Sequence, residues 1–391
     1  MEIKVGLAVC YDAKNFGSQL QILATNYKIR ELGYIPEIIR YKKIFTPIFF
    51  LQTIPRLFNP YFLRSKFSNN NRKSFFKNHP EIKEGVKIRN YKFEEFAEKH
   101  FNNMSQIYKG WECLVKKSNK DYSIFLSGSD QLWLPSNLGS HFFTLEFVKK
   151  DNIKISYSTS FGVNYIPWFQ KYSTKRYLNR FNYLSTREQG GKDIIEDLTN
   201  KKVELVCDPT LLLSEEEWYK VIPNKNVITE KYIFCYFLGN NEEHRIVATR
   251  LSKILGIKIV TSLFFYNSYN EFDVNFGDIQ LYDLDSFDFV NLIRNAEYVL
   301  TDSFHGSVFS IINHKNFITF NRFSNSDKNS RNSRIDNLFN ILSLDSRRYS
   351  GDINKVFEKI DYEKVDEKLY DFRNYSFNFL KNALDGSKEK D

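Results

Sequence analysis

The chain has 391 residues, 42% of them hydrophobic and 26% charged, a soluble globular balance with room for two ordinary domains. No apolar run approaches the roughly 18 residues that span a bilayer, and Cys10, Cys113, Cys207 and Cys235 lie too far apart for a metal cluster. The net charge of +9 is confined to one window, Arg40 to Pro80, with nine basic residues and no Asp or Glu, while the remainder is neutral. The first residues run directly into a strand without a signal-peptide layout. Cys10, Cys207 and Cys235 fall in apolar strand-like runs. The expectation is therefore a cytoplasmic protein with reduced core cysteines.

Ile3 to Cys10 reads as a strand buried on both faces, Asn15-Phe16-Gly17-Ser18 as a turn, and Gln19 to Leu32 as an amphipathic helix closed at Gly33. With a second strand over Ile35 to Tyr41 this opening is βαβ. It predicts a parallel sheet whose ligands meet the carboxyl ends of the strands, where Asn15 and Gly17 sit. The basic window follows, with ten aromatics and four prolines (Pro47, Pro55, Pro60, Pro80) that rule out one long helix. It reads either as a packed insertion with a solvated basic face or as an arm for an anionic membrane surface. Nucleic acid is set aside, because no recognised binding motif accompanies the charge.

A helix over Tyr91 to Phe101 precedes the strand Tyr122 to Leu126, which ends in Ser127-Gly128-Ser129-Asp130-Gln131-Leu132-Trp133. Asp130 is placed there to meet a ligand or to cap a helix. Strands over Lys154–Phe161 and Phe181–Thr186 follow, the second ending in Arg187-Glu188. Arg187 can grip a carboxylate or phosphate through two parallel hydrogen bonds, or form a surface ion pair with Glu188. Val203 to Val206 is a further strand, stopped by Asp208-Pro209, and the helix start at Ser214-Glu215-Glu216-Glu217-Trp218 leads out of the first unit. The expected division is 1–225, with the insertion at 40–80, and 226–391. The second unit runs strand Tyr232–Leu238, helix Glu242–Leu255, strand Lys258–Thr261 and helix Phe287–Asn295. After the stretch described next come a strand over Asn316–Phe320, a polar loop over Asn321–Ser333, and helices over Arg334–Leu344 and most of Asn354–Ala383.

The most chemically suggestive stretch is Val299-Leu300-Thr301-Asp302-Ser303-Phe304-His305-Gly306-Ser307-Val308-Phe309-Ser310. It reads as a buried strand, an abrupt polar turn, and a helix through Ile312. Asp302 or Ser303 can cap that helix, and Gly306 removes side-chain bulk from its first turn. Unpaired N–H groups at such a start attract an anion, and a bound phosphate would favour the imidazolium of His305. That describes a proton donor armed by its own substrate. A structural histidine behind a polar cap is the competing reading.

Six separated blocks together resemble the polysaccharide pyruvyl transferase family. They are Asn15-Phe16-Gly17-Ser18-Gln19-Leu20-Gln21, Gly128-Ser129-Asp130-Gln131-Leu132-Trp133, Ser158-Thr159-Ser160-Phe161-Gly162, Arg187-Glu188, Asp208-Pro209-Thr210-Leu211-Leu212-Leu213 and Thr301-Asp302-Ser303-Phe304-His305-Gly306. Each is weak alone; six in order are specific. The resemblance implies an α/β fold of two Rossmann-like domains facing across a GT-B-like cleft. It also implies phosphoenolpyruvate as donor and a sugar hydroxyl pair of a surface polysaccharide, or of its lipid-linked precursor, as acceptor. The product would be a cyclic pyruvate ketal, made without a metal or other cofactor. His305 would then be the acid and Asp130 the base, with Arg187 on the donor's carboxylate or phosphate. The helix start at Ser303, Gly306 and Ser307 would take the phosphate, and Asn15 and Gly17 would line the acceptor side. Some branches of the family place an arginine two residues before the histidine, where this chain has Ser303; Arg331 and Arg334 are the candidate replacements. A nucleotide-sugar glycosyltransferase on the same scaffold, or a non-catalytic membrane-peripheral protein of glycan assembly, are the alternatives. A lipid-linked acceptor would bring the protein to the inner face of the plasma membrane.

Overall fold

The computed structural model describes residues 3–44, 54, 69–136, 141–262, 271–323 and 332–386, with backbone alone at 69–73 and 271. Most of the basic window and of the polar loop, Arg331 included, lies outside the described residues.

The first unit is laid down as β1 (Lys4–Ala8), α1 (Phe16–Glu31), β2 (Ile35–Lys42), α2 (Asn69–Asn78), α3 (Pro80–His100), β3 (Met104–Lys109), β4 (Ile124–Ser127), β5 (Ile153–Ser156), α4 (Trp168–Leu178), β6 (Tyr183–Thr186), α5 (Gln189–Leu198), β7 (Glu204–Leu205), α6 (Pro209–Leu212) and α7 (Glu215–Val221). The second continues with β8 (Tyr232–Tyr236), α8 (Glu242–Leu255), β9 (Lys258–Thr261), β10 (Ile279–Gln280), α9 (Ser286–Asn295), β11 (Tyr298–Thr301), α10 (Phe304–Ile312), β12 (Asn316–Thr319), α11 (Ser333–Leu342) and α12 (Tyr362–Asp385). All strand pairs are parallel, in the orders β3-β2-β1-β4-β5-β6-β7 and β10-β9-β8-β11-β12. These are two Rossmann-like sheets in a GT-B-like pair. In each, the order reverses beside the first strand, between β1 and β4 and between β8 and β11. A crevice opens at such a switch point, and the loops after those four strands line it.

Three local expectations change. The helix expected over Tyr91–Phe101 starts at Pro80, because a proline at the first helical position lacks an N–H that would be unpaired there anyway. The strand expected over Lys154–Phe161 stops at Ser156, since Ser158 turns into the left-handed region at φ 55 and breaks the ladder. Cys10 lies beyond β1, which ends at Ala8, and is only partly buried.

Helix α1 is shared by both units. Phe16 stacks on Phe289 of α9 (centroids 4.9 Å apart, planes within 10°) and touches Tyr236 at the end of β8. Gln19 Oε1 accepts a hydrogen bond from Ser286 Oγ at 2.7 Å, while its amide donates to Phe93 O at 2.8 Å. Stacked aromatics of this kind contribute about 0.5–1.5 kcal/mol beyond their buried area. Helix α12 returns to the first sheet. Arg373 Nε donates to Leu211 O (2.8 Å), Cys207 N to Ser376 Oγ (2.8 Å), and Tyr34 Oη to Asp385 Oδ1 (2.8 Å). Both crossings hold the two switch points face to face.

Candidate active site

At the first switch point the residues after β4 turn sharply, Asp130 taking a left-handed φ of 82°. For a residue other than glycine this backbone is held only where its surroundings impose it. Here the surroundings are polar: Ser18 Oγ donates to Asp130 Oδ2 (3.0 Å), Gln131 N to Oδ1 (2.8 Å) and Arg187 Nη2 to Oδ1 (3.3 Å). Asp130 caps no helix.

Arg187 stands behind Asp130 and is 1% exposed. Its Nη1 donates to Asp208 Oδ2 at 2.5 Å, and its guanidinium lies 5.0 Å from the centre of the Phe304 ring. Asp208 is fully buried and caps α6 by accepting from Thr210 N at 3.1 Å. It also accepts from Gln21 Nε2 at 2.6 Å. Neither Asp130 nor Asp208 is Glu188, the surface partner considered for Arg187. Glu188 is itself buried and accepts from Ser160 Oγ (2.6 Å) and Gly162 N (3.1 Å). The expected donor grip by Arg187 is thus replaced, in this arrangement, by a grip on two carboxylates.

The second switch point presents His305. Ser303 caps α10, its hydroxyl accepting from Gly306 N at 3.3 Å. Asp302 accepts instead from Leu238 N (2.6 Å) and Gly239 N (2.9 Å), stitching the loops after β8 and β11 together. Gly306 packs its bare α carbon on Thr301, whose Oγ1 would lie 2.5 Å from an added Cβ. Ser307 is turned from the cavity, its hydroxyl bonded to Ser303 O (3.1 Å) and Thr319 Oγ1 (2.8 Å). With the N–H groups of Gly306 and Ser307 used within the turn, those of Phe304 and His305 remain without a partner among the described residues. The anion-attracting start therefore lies at 304–305, not at 306–307.

The His305 ring crosses to the first unit. Its Nε2 is buried, makes no hydrogen bond, and stands 3.7 Å from Asp208 Oδ1. Its Nδ1 lies on the Gly17 side, so close that a Cβ built on Gly17 would fall 2.0 Å away. Only a residue without a side chain fits at position 17.

Around this meeting point lies a cavity of about 310 Å³. Asn15, Gly17, Asp130, Ser303, His305 and Arg334 border it, whereas Arg187, Gly306 and Ser307 do not. Burial pushes the Asp130 carboxyl up, but the charges of Arg187, Arg334 and His305 outweigh it, and the net direction is down. Burial acts the same way on Asp208, where His305 and Arg187 hold the carboxyl far below the ordinary range. Burial likewise pushes the thiol of Cys10, which borders the cavity, well up, so it is no thiolate nucleophile. Among the described residues no group of His, Cys, Asp and Glu could hold a metal ion.

Two residues escaped the sequence reading. Asp208 was visible only as the stop after a strand, although its block was in view. Arg322 borders the cavity just beyond β12, is partly buried, and has no carboxylate partner among the described residues. Its position just past the carboxyl end of a strand is the signal that singled out Arg187, and it is nearer the helix start in sequence than Arg331. A Cβ on Gly239 would meet Arg322 Cγ at 3.0 Å, so that glycine gives the arginine room.

A family model described as polysaccharide pyruvyl transferase matches residues 15–325. No curated protein matches the sequence. Among solved structures, a Listeria monocytogenes protein assigned as a UDP-N-acetylglucosamine 2-epimerase aligns with TM-score 0.52 and 12% identity over 100% of this chain and 97% of its own. A further UDP-N-acetylglucosamine 2-epimerase aligns at 0.51 and 9% over 100% and 96%. The S. aureus MnaA–UDP structure aligns at 0.51 and 10% over 99% and 97%. At such identities the likeness is one of fold.

Proposed function

The chain belongs to the polysaccharide pyruvyl transferase family, and from that premise we propose that the cavity joins the pyruvyl group of phosphoenolpyruvate to two hydroxyls of a glycan sugar as a cyclic ketal. The observation that supports this most is His305 standing between the buried Asp208 and the bare backbone of Gly17, at a cavity bordered by Arg322 and Arg334. A donor with a phosphate and a carboxylate needs cations, and an enol ether needs a proton. Both are present.

In this reading Arg322, Arg334 and the N–H groups of Phe304 and His305 bind the donor's two anionic groups. His305 gives a proton from Nδ1 to C3 of the enol, and the electron pair of the double bond forms the new C–H bond. Positive charge develops at C2. A sugar hydroxyl held by Asp130 adds there and passes its proton to the Asp130 carboxylate. A carboxylate held below its usual range is a weak base, but a hydroxyl bonding to a cationic carbon becomes acidic enough to need no stronger one. The C2–O bond to phosphate then breaks, phosphate leaves with its electron pair, and the second hydroxyl closes the ketal, passing its proton to the Nδ1 that His305 emptied in the first step. Asp208 faces Nε2 and keeps the other nitrogen toward the donor; Arg187 fixes both carboxylates.

The basic segment 40–80 and a lipid-linked acceptor complete the proposal, placing the reaction beside an anionic membrane. The test is acceptor-dependent phosphate release from phosphoenolpyruvate over a panel of lipid-linked glycans, with thermal shift in parallel. Stabilisation by phosphoenolpyruvate supports the reading. Stabilisation by a uridine diphosphate alone, with no phosphate release, would replace it with nucleotide-sugar chemistry.

A further inference from the structure

We propose that the outer face of α4 is a docking surface for an anionic lipid bilayer, separate from the basic segment 40–80. Trp168, Lys171, Tyr172 and Lys175 fall at i, i+3, i+4 and i+7, one face of a helix. The opposite positions Gln170, Thr174, Tyr177 and Leu178 are buried against the first unit. On the outer face Trp168 is 84% and Tyr172 80% exposed, the two highest values among the exposed large hydrophobics, with Tyr165 at 42% just before the helix. Two such rings on one helix face make a contiguous exposed apolar patch, the kind that marks an interaction site.

Charge identifies what covers them. No Asp or Glu occurs from Asn152 to Arg187. Arg176 is paired with Glu146 at 2.8 Å, but Lys171 and Lys175 are exposed with no carboxylate partner among the described residues. Tryptophan and tyrosine interleaved with lysine is the composition that seats a helix at the headgroup level of a bilayer, rings inward and ammonium groups on phosphates. One helix face is also far smaller than the roughly 800 Å² per partner of a stable protein interface.

Position agrees. Helix α4 follows β5, and Gln170 Nε2 donates to Pro135 O at 3.0 Å, in the loop that begins with Asp130. Its aromatic start therefore lies at the carboxyl edge of the sheet, the edge that carries the cavity residues and where β2 ends at Lys42. A bilayer against this rim lies alongside the cavity mouth.

The test uses the full chain and vesicles of phosphatidylcholine with or without phosphatidylglycerol, needing neither donor nor acceptor, so it stands or falls apart from the pyruvyl reading. Trp133 and Trp218 are fully buried, so a blue shift of emission reports Trp168 or Trp111, and Trp168→Ala distinguishes them. The parent should sediment with anionic vesicles and shift blue, and Trp168→Ala should lose the shift. Each lysine near an anionic leaflet is worth about fivefold in partitioning, so Lys171→Glu with Lys175→Glu should weaken binding by about 25-fold or more. Both variants should keep parental thermal stability, since none of the three side chains packs in the core. A protein in which Lys42, Lys43, Arg64, Lys66, Arg72 and Lys73 are changed to Gln should bind more weakly yet still show the Trp168 shift. The proposal is overturned if the parent ignores anionic vesicles or if the α4 variants partition like the parent. A Trp168 shift produced by soluble glycan and not by vesicles overturns it too, making the face a sugar platform.

Discussion

Gly17→Ala is the most exacting test of the site. The added Cβ would fall 2.0 Å from His305 Nδ1, whereas non-bonded heavy atoms settle at about 3.5–4.0 Å. The ring or the start of α1 must therefore retreat by about 1.5 Å, the shortfall against that contact distance. A displacement of about 1 Å in reacting geometry costs on the order of 10²-fold in rate. The same change is not free for folding: forcing a Cβ against a buried ring is overpacking, which typically costs about 1–3 kcal/mol, and Gly17, as the second residue of α1, gains little helix propensity to offset it. The expected result is a protein that still unfolds cooperatively at a moderately lowered melting temperature, and whose acceptor-dependent phosphate release, assayed well below that temperature, falls by about two orders of magnitude. Parental turnover in Gly17→Ala would show that the contact between the two units at His305 plays no part in the chemistry.

Further outcomes follow from the same geometry. His305→Gln should keep the melting temperature and lose about 10²–10⁴ in turnover, the usual range for a missing general acid; undiminished phosphate release would remove His305 from the mechanism. Arg187→Ala leaves Asp208 buried without its cation and should cost about 3–5 kcal/mol in urea unfolding. Asp208→Asn added to that variant should recover part of the loss, and no recovery would contradict the pairing. Asp208 has a folded pKa below its unfolded value near 3.9, so between the two the unfolded chain binds more protons. Its contribution is complete above about pH 4 and declines as the pH falls further; Asp208→Asn should flatten that decline. His244 is buried against Phe320, and burial lowers its pKa from 6.5 to about 4. Between those values the unfolded chain takes up the proton first, so stability falls as the pH drops from 6.5 toward 4. Unfolding titrations of His244→Phe should lack that slope, and an unchanged slope would place it elsewhere.

Much of the local architecture was legible because its signals are local. The helix Glu242–Leu255 and the strand Lys258–Thr261 match residue for residue, since a cap, a 3.6-residue pattern and a terminal Gly256 in left-handed conformation announce one, and a short apolar run the other. The turn after Tyr298–Thr301, its Ser303 cap and the helix beyond it are equally local. Because ligands gather at the carboxyl ends of parallel strands, the same logic named Asn15, Gly17, Asp130 and His305, which border one cavity.

The sequence by itself therefore determined the elements, the parallel layout they require, and which strand ends carry polar side chains. It could not determine which of those side chains meet. Gln21 and Asp208 are 187 positions apart and share a hydrogen bond of 2.6 Å; Gly17 and His305 belong to different sheets and touch. Nothing in the local pattern around Arg187 distinguishes a guanidinium open to a ligand from one closed between Asp208 and Asp130. Partner choice depends on how two separately patterned sheets are set against each other by the packing of Phe16 on Phe289 and the return of α12. Those contacts are non-local, and their energy favours the arrangement that sets the buried Arg187 between Asp208 and Asp130. Only the tertiary structure set Asp208 behind His305 and left Arg322 facing the cavity.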